Sequence, residues 1–113
     1  MWRPPLWLKI SLGFVIYALA LATVALWWRE PNLAALMVGL LTLGMFTVSP
    51  HRTTLVAFLI GAIGGPLSEV VAVHFGAWSY ADAQLLGIPV WLPLIWGLAA
   101  VTFTKPVLLL AHK

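Results

Sequence analysis

The stretch from Thr54 to Phe75, TLVAFLIGAIGGPLSEVVAVHF, carries one charged side chain, Glu69, in an otherwise apolar run. It is longer than the roughly 20 residues that a helix needs to cross the hydrocarbon core of a bilayer. It far exceeds the roughly 9–11 residues of a membrane β-strand, and it lacks strict alternation of polar and apolar residues. Because every backbone N–H and C=O must be paired inside lipid, we predict that it forms a transmembrane helix.

Three further apolar runs accompany this segment. They cover residues of about 6–28, 33–48 and 88–110, and short polar segments separate them. We therefore predict an all-α integral membrane bundle of four transmembrane helices, with residues 1–113 forming a single transmembrane domain. The second run is short, and we expect its helix to stand nearly upright or to thin the bilayer locally.

The composition excludes several classes of protein. Of the 113 residues, 63% are hydrophobic and 8% are charged, whereas a soluble domain keeps roughly a quarter of its residues charged. The absence of cysteine excludes disulfides, thiolate nucleophiles and zinc–thiolate sites. The net charge of +3 is spread over the ends of the segments, so there is no clustered basic face for nucleic acid. The expected partner is the lipid bilayer.

The basic residues predict the orientation in the membrane. If four helices alternate in direction, Arg29 falls alone on one side. The remaining Lys and Arg residues fall on the other side: Arg3, Lys9, Arg52, Lys105 and Lys113. Cytoplasmic segments of membrane proteins carry an excess of Lys and Arg. We therefore predict a multi-pass protein of the cell (inner) membrane with both termini in the cytoplasm.

Small residues recur in steps of four along three of the predicted helices. The first helix has Ala18 and Ala22, and the second has Ala35 and Gly39. In the third helix such steps lead to Glu69 through Ala57, Gly61 and Gly65. Residues four apart lie on one face of a helix, and small residues there let two backbones approach closely. We expect these faces to pack against other helices, which directs Glu69 towards the interior of the bundle.

The residues Gly64-Gly65-Pro66 precede Glu69 and interrupt the pattern of a regular helix. Pro66 cannot donate to the carbonyl of Ala62, and its ring clashes with the preceding turn. It could instead open a second half-helix as the first residue of that helix. We therefore expect the third helix to be kinked or broken at this point.

Glu69 is the candidate catalytic residue. An ionisable side chain within a membrane span is costly and marks a functional site by default. Burial disfavours the charged form of a carboxyl group, and a neutral carboxyl group in a dry pocket is a competent general acid. We expect Glu69 to lie near the fourth helix and the segment Trp78–Tyr80, at least partly protonated. The structural alternative is a kinked packing helix in which Glu69 only bonds to a neighbour.

Aromatic residues concentrate around the connection between the third and fourth helices, and they supply the candidate ligand-binding residues. This density suits a flat or polyene-like apolar ligand, and an indole N–H inside the membrane needs a partner. The candidate set is His74, Trp78, Tyr80, Trp91 and Trp96. The alternatives are interfacial anchoring by the tryptophans and a plain interfacial role for His74. One His and one Glu are too few ligands for a metal site, so no metal is predicted.

A series of glycine, proline and aromatic residues follows Glu69. It consists of Phe75-Gly76-x-Trp78-x-Tyr80, Leu86-Gly87-Ile88-Pro89 and Pro93-Leu94-x-Trp96. The series resembles the core motif of the membrane carotenoid hydratases, the bisanhydrobacterioruberin-hydratase-like carotenoid biosynthesis proteins. Those proteins show Glu, then Phe-Gly-x-Tyr-x-Tyr, then Gly-Val-Pro and Pro-Leu-x-Trp. The resemblance covers about a quarter of the chain, and Trp78 stands where the family has a tyrosine.

The resemblance implies acid-initiated chemistry on an isoprenoid double bond. Glu69 would be the proton donor, and the rings of Trp78, Tyr80 and Trp96 would flank the polyene and stabilise developing positive charge. No cofactor would be required. The resemblance thus favours a membrane protein that handles an isoprenoid or another long apolar ligand. As an enzyme, it would be a lyase similar to the carotenoid hydratases.

Two other classes of membrane protein share features with this sequence. Small multidrug transporters have about this length, four helices and one embedded glutamate, but that glutamate lies in the first helix, where this chain has no acid before Glu30. A non-catalytic subunit of a larger membrane complex also fits a small, tryptophan-rich chain, as does a homo-oligomer. Saturable, proton-dependent uptake into vesicles would identify a transporter. Loss of activity or assembly away from partners would identify a subunit.

Overall fold

The computed structural model describes residues 4–81 and 83–111, which form four α-helices. The helices are α1 (Leu6–Trp27), α2 (Pro31–Val48), α3 (Arg52–His74) and α4 (Leu92–Ala111). Each is long and apolar enough to cross a membrane. The predicted all-α bundle of four membrane-spanning helices is confirmed.

Helix α4 is the centre of the bundle. It packs most extensively against α3, and it also contacts α1 and α2, which pack against each other as a second pair. Leu98 and Val101 of α4 are buried in one apolar core together with Val38 and Met45 of α2. Many large apolar side chains remain on the outside of the helices, where lipid replaces water as the solvent.

Helix α3 is continuous through Pro66. We predicted a kink or a break at Gly64-Gly65-Pro66; the break is not found, and Pro66 does not open a second half-helix. Pro66 is buried in the bundle, where the packing of neighbouring helices lets a membrane helix accommodate a proline. The hydroxyl of Ser68 donates to the carbonyl of Gly65 at 2.6 Å in the same turn. Helix α3 therefore presents one uninterrupted face to the rest of the bundle.

Gly61 and Gly65 lie at the contact between α3 and α4, as their spacing predicted. A Cβ atom added to Gly61 would lie 2.5 Å from Cβ of Ala100, and one added to Gly65 would lie 2.0 Å from Cδ2 of Trp96. Both distances are far shorter than the roughly 3.5–4.0 Å of a carbon–carbon contact. Only glycine allows the two helices to approach this closely.

The corresponding prediction for α1 is wrong. Ala18 and Ala22 are exposed on the outside of the bundle, and the buried residues of α1 are Gly13, Ala20 and Thr23. Alanine is apolar enough to face lipid. Two alanines four residues apart therefore do not distinguish a packing face from a lipid-facing one.

Helix α4 begins at Leu92, later than the predicted start at residue 88. Ile88 and Leu85 exchange two backbone hydrogen bonds, of 2.9 Å and 3.0 Å, across a tight turn. Leu86 and Gly87 form its centre with φ angles of 51° and 87°, the left-handed pair that a type I′ turn needs. Ile88 is thereby committed to this turn and cannot begin a helix. The other observed helix ends differ from the predicted ones by two residues or fewer.

Candidate functional site

Glu69 lies inside the bundle, with 8% of its surface exposed. Both of its carboxyl oxygens accept a hydrogen bond. Oε2 accepts from Nε1 of Trp96 at 2.5 Å, and Oε1 accepts from the hydroxyl of Tyr80. Trp96 belongs to α4, and Tyr80 belongs to the segment between α3 and α4. The predicted position of Glu69, near the fourth helix and the segment Trp78–Tyr80, is confirmed.

The glycine face of α3 brings Trp96 to Glu69. Gly65 precedes Glu69 by four residues, so both lie on the face of α3 that meets α4. The indole ring of Trp96 covers Gly65 so closely that a side chain there would overlap it. From this position the N–H of the ring reaches Oε2 of Glu69. The ring remains 37% exposed, so Trp96 also forms part of the bundle surface.

A Schellman motif at the end of α3 reverses the chain and positions Tyr80 beside Glu69. Gly76 has a φ of 81°, and its N–H donates to the carbonyl of Val73 at 3.0 Å. The N–H of Ala77 donates to the carbonyl of Ala72 at 2.9 Å. These two bonds satisfy the last free carbonyls of the helix and reverse the chain. Gly76 adopts the left-handed conformation without strain, so the Tyr80 hydroxyl returns to the contact between α3 and α4.

Trp96 and Tyr80 differ in the hydrogen bonds that they can make to Glu69. An indole N–H is a donor only, so Oε2 accepts from Trp96. The Tyr80 hydroxyl, beside Oε1, can donate or accept. Burial, and then the hydrogen bond to Glu69, raises the pKa of Tyr80 to about 12, while Trp78 opposes that shift. Tyr80 thus keeps its hydroxyl proton at neutral pH.

Tyr80 lines a groove at the end of the bundle, which we call the aromatic groove. The groove has a volume of about 300 Å³, and Trp28, Trp91 and Val24 are also among its lining residues. The rings of Tyr80 and Trp91 meet edge to face, with centroids 6.4 Å apart. The volume is at the lower end of the roughly 300–1,000 Å³ of small-ligand sites.

Trp96 lines a different groove, which follows the contact between α3 and α4. It has a volume of about 510 Å³, and Gly61 and Phe103 are among its lining residues. Glu69 lines neither this groove nor the aromatic groove. Because Tyr80 both contacts Glu69 and lines the aromatic groove, it is the link between the carboxyl group and that groove.

The five predicted ligand-binding residues do not all meet in one place. Tyr80 and Trp91 line the aromatic groove, whereas Trp96 lines the groove along α3 and α4. Trp78 is half exposed and approaches the oxygen of Tyr80. His74 is exposed and lines neither groove. The structure therefore places Tyr80 and Trp96 at Glu69, places Trp78 and Trp91 beside Tyr80, and leaves His74 apart.

A second polar cluster, at the other end of the bundle, was missed by sequence reasoning. Lys9, His51 and Lys105 approach one another there, together with Ser49 and Thr54. They belong to separate elements, and no spacing in the sequence signals that they converge. The one available signal was that the lysines fall on the same side when four helices alternate.

The fold and the site define a small multi-pass membrane protein whose buried carboxyl group is held by two aromatic donors. No protein-family model, curated protein or solved structure matches the chain. Within residues 4–81 and 83–111, no three His, Asp or Glu side chains are grouped in the way that a metal site requires.

Proposed function

We propose that the protein binds an isoprenoid or similarly long apolar molecule in the aromatic groove and adds a proton to one of its double bonds. The observation that carries the proposal is the hydrogen bond between Tyr80, which lines this groove, and the buried carboxyl group of Glu69. Glu69 is the acid, and Tyr80, whose hydroxyl turns from donating to Oε1 to accepting from it, relays the proton. The resemblance to the membrane carotenoid hydratases supplies the reaction class, which is hydration of an isoprenoid double bond.

The lining of the aromatic groove supports an apolar ligand. Val24 and Ala25 of α1 form part of the wall, and the rings of Trp28 and Trp91 form another part. None of the described residues that line the groove is charged. Such a wall offers no counter-charge to an anionic substrate, whereas the faces of aromatic rings attract a cation. The groove thus suits a molecule that is apolar as a substrate and transiently positive during the reaction.

The proposed reaction balances in protons and electrons. Tyr80 passes its hydroxyl proton to one carbon of the double bond and takes the proton from Oε1 of Glu69. The new C–H bond uses the π electrons, which leaves a carbocation on the other carbon and a carboxylate on Glu69. Trp96 already donates to Oε2 and stabilises the carboxylate as it forms. Water then adds to the cation, and the proton it releases returns through Tyr80 to Glu69.

Reconstitution of the purified protein into vesicles that contain an acyclic carotenoid tests the proposal. We expect a tertiary alcohol, detected by chromatography and mass spectrometry as the gain of one water molecule. In D₂O the product should carry deuterium on carbon. Glu69→Gln keeps both hydrogen-bonding positions but lacks the acid, so it should fold and form no product. Tyr80→Phe should bind the carotenoid and form no product, because it breaks the relay.

Glu30→Gln is the matched control, since it makes the same carboxyl-to-amide change at an exposed position between α1 and α2. Its product yield should equal that of the wild type. Full product from Glu69→Gln would show that the carboxyl group of Glu69 is structural. Failure of the wild type to bind any carotenoid would remove the proposal and favour the non-catalytic subunit.

A further inference from the structure

Three basic side chains from separate parts of the chain converge at the end of the bundle opposite the aromatic groove. Nζ of Lys9, on α1, lies 2.6 Å from Nε2 of His51, which precedes α3. Nζ of Lys105, on α4, donates to the hydroxyl of Ser49 at 2.6 Å and to that of Thr54 at 3.3 Å. Both hydroxyl groups belong to buried residues, so they fix the position of the Lys105 ammonium group.

The basic groups have no acidic partner in the part of the chain that the structure describes. Neither lysine donates to a carboxylate there. Glu69 lies about 25 Å along α3 from the first residue of that helix, at a rise of 1.5 Å per residue. Glu30 follows the far end of α1, and Asp82, the remaining acid, lies outside the described residues. Among residues 4–81 and 83–111, the positive charge of the cluster is therefore uncompensated.

A cavity of about 320 Å³ opens beside these groups, and we call it the basic pocket. Lys9, His51 and Lys105 line it, and Leu6 and Leu108 are among the apolar residues of its wall. An ammonium group has three N–H bonds. Lys9 uses one of them and Lys105 uses two, so each retains a donor for a ligand. The pocket thus combines free cationic donors with an apolar surface.

We propose that the basic pocket binds the phosphate group of an anionic membrane lipid, with an acyl chain of the lipid along Leu6 and Leu108. The phosphate oxygens accept from Lys9 and Lys105 in charge-assisted hydrogen bonds. Basic pockets between transmembrane helices bind anionic headgroups by this chemistry. A lipid fits better than free phosphate because much of the wall is apolar and because Lys9 and His51 lie near the first turns of α1 and α3. This inference does not depend on the chemistry proposed for Glu69.

His51 provides a direct report of the anion. Burial lowers the pKa of His51, and the positive charges of Lys9 and Lys105 lower it further. A phosphate group in the basic pocket places a negative charge beside the ring and favours its protonated form. The pKa of His51 should therefore rise when the pocket is filled.

Nanodiscs of phosphatidylcholine, with and without phosphatidylglycerol, test the proposal on the full chain. NMR titration should give a higher pKa for His51 when phosphatidylglycerol is present, and native mass spectrometry should show this lipid retained. Lys105→Met should reduce retention on the order of tenfold, which corresponds to about 1.4 kcal/mol. Arg29→Met removes the same charge at the opposite end of the bundle and should leave retention unchanged.

If Lys105→Met does not fold, Lys9→Met is the second test of the proposal. Lys9 makes no hydrogen bond to a buried hydroxyl group, so its replacement should leave the fold intact. It should also lower retention of phosphatidylglycerol. Equal retention in the wild type and Lys9→Met, with a His51 pKa that phosphatidylglycerol does not move, overturns the proposal. A rise in this pKa caused by inorganic phosphate in plain phosphatidylcholine nanodiscs overturns the lipid assignment and assigns the pocket to soluble phosphate.

Discussion

Nε1 of Trp96 lies 2.5 Å from Oε2 of Glu69, and the same indole ring covers Gly65, one turn earlier on α3. One side chain of α4 therefore determines both how closely α3 can pack and how its buried carboxyl group is held. Tyr80, from the connecting segment, supplies the second donor. The site thus exists only when α3, α4 and their connection are assembled together.

A methyl group at Gly65 should destabilise the bundle by about 1–3 kcal/mol, the usual cost of overpacking. The added carbon would lie 2.0 Å from Cδ2 of Trp96, and the ring cannot move away without weakening its bond to Glu69. Gly64→Ala is the matched control, because nothing lies within 4 Å of its added carbon and alanine favours a helix by about 1 kcal/mol. Thermal unfolding in detergent should place Gly65→Ala below the wild type and Gly64→Ala at or above it. Equal melting temperatures for Gly65→Ala and the wild type would contradict the close contact.

Trp96 and Trp91 should respond differently to replacement by phenylalanine. Trp96→Phe leaves Oε2 of Glu69 without its donor, at roughly 1–3 kcal/mol for an unsatisfied buried group. Nε1 of Trp91 is buried and has no hydrogen-bond partner among the residues the structure describes. Trp91→Phe loses packing contacts because the ring is smaller. It also removes that unpaired donor, and this gain offsets part of the loss. Chemical denaturation should therefore give a lower free energy of unfolding for Trp96→Phe than for Trp91→Phe. The reverse order would show that the hydrogen bond between Trp96 and Glu69 contributes little.

Replacements of Glu69 should separate its structural role from its acidity. In Glu69→Gln the amide oxygen accepts from Trp96, and the amide N–H donates to the hydroxyl of Tyr80, so the fold should keep nearly wild-type stability. Glu69→Leu leaves both aromatic donors unpaired, and we expect a loss of about 1–3 kcal/mol or more. Denaturation of both variants in one detergent is the measurement. Equal destabilisation by Gln and Leu would show that the two hydrogen bonds do not hold the site.

Acidification should weaken the fold at the basic end of the bundle. Burial and the charges of Lys9 and Lys105 hold the pKa of His51 below its ordinary value of 6.5. The unfolded chain therefore binds this proton at a higher pH than the folded chain, and the free energy of unfolding falls as the pH drops below about 6.5. Unfolding measured across this range in a zwitterionic detergent should show the slope. His51→Gln cannot titrate and should have a shallower slope, whereas an identical slope would exclude His51 as its source.

The distribution of basic residues should place the C-terminus in the cytoplasm. Lys9, His51 and Lys105 gather at one end of the described bundle, and an excess of Lys and Arg marks the cytoplasmic side. A periplasm-active phosphatase fused after Lys113 should therefore be inactive in a bacterial host. The same enzyme inserted after Ala81, at the other end, should be active. Strong activity of the fusion at Lys113 would reverse the predicted orientation.

The sequence was most informative where a residue type leaves few physical options. Gly61, Gly65 and Glu69 are spaced four residues apart and therefore lie on one face of α3. This spacing predicted both the contact of the glycines with α4 and the burial of the carboxyl group. It was least informative where the same residue suits two environments. Ala22 can face lipid as easily as another helix, and Pro66 can lie inside a continuous helix when neighbours pack around it.

Local sequence patterns could not predict which side chains from different helices and connections contact one another. The bond between Tyr80 and Glu69 depends on the reversal at Gly76, and the bond between Trp96 and Glu69 depends on the separation of α3 and α4. The basic pocket depends on side chains from three separate elements, such as Lys9 and Lys105. In each case the residue type was visible in the sequence, but the partner was set by helix packing.

Helix α4 contacts the other three helices, yet it follows all of them in the chain. Ribosomes add roughly 5–20 residues per second, so α1, α2 and α3 reach the membrane seconds before their common partner has been made. During that interval the glycine face of α3 is uncovered, and Glu69 lacks the indole that pairs with it. An uncovered carboxyl group in lipid is costly. The order of synthesis therefore delays the pairing of this carboxyl group until α4 has been inserted.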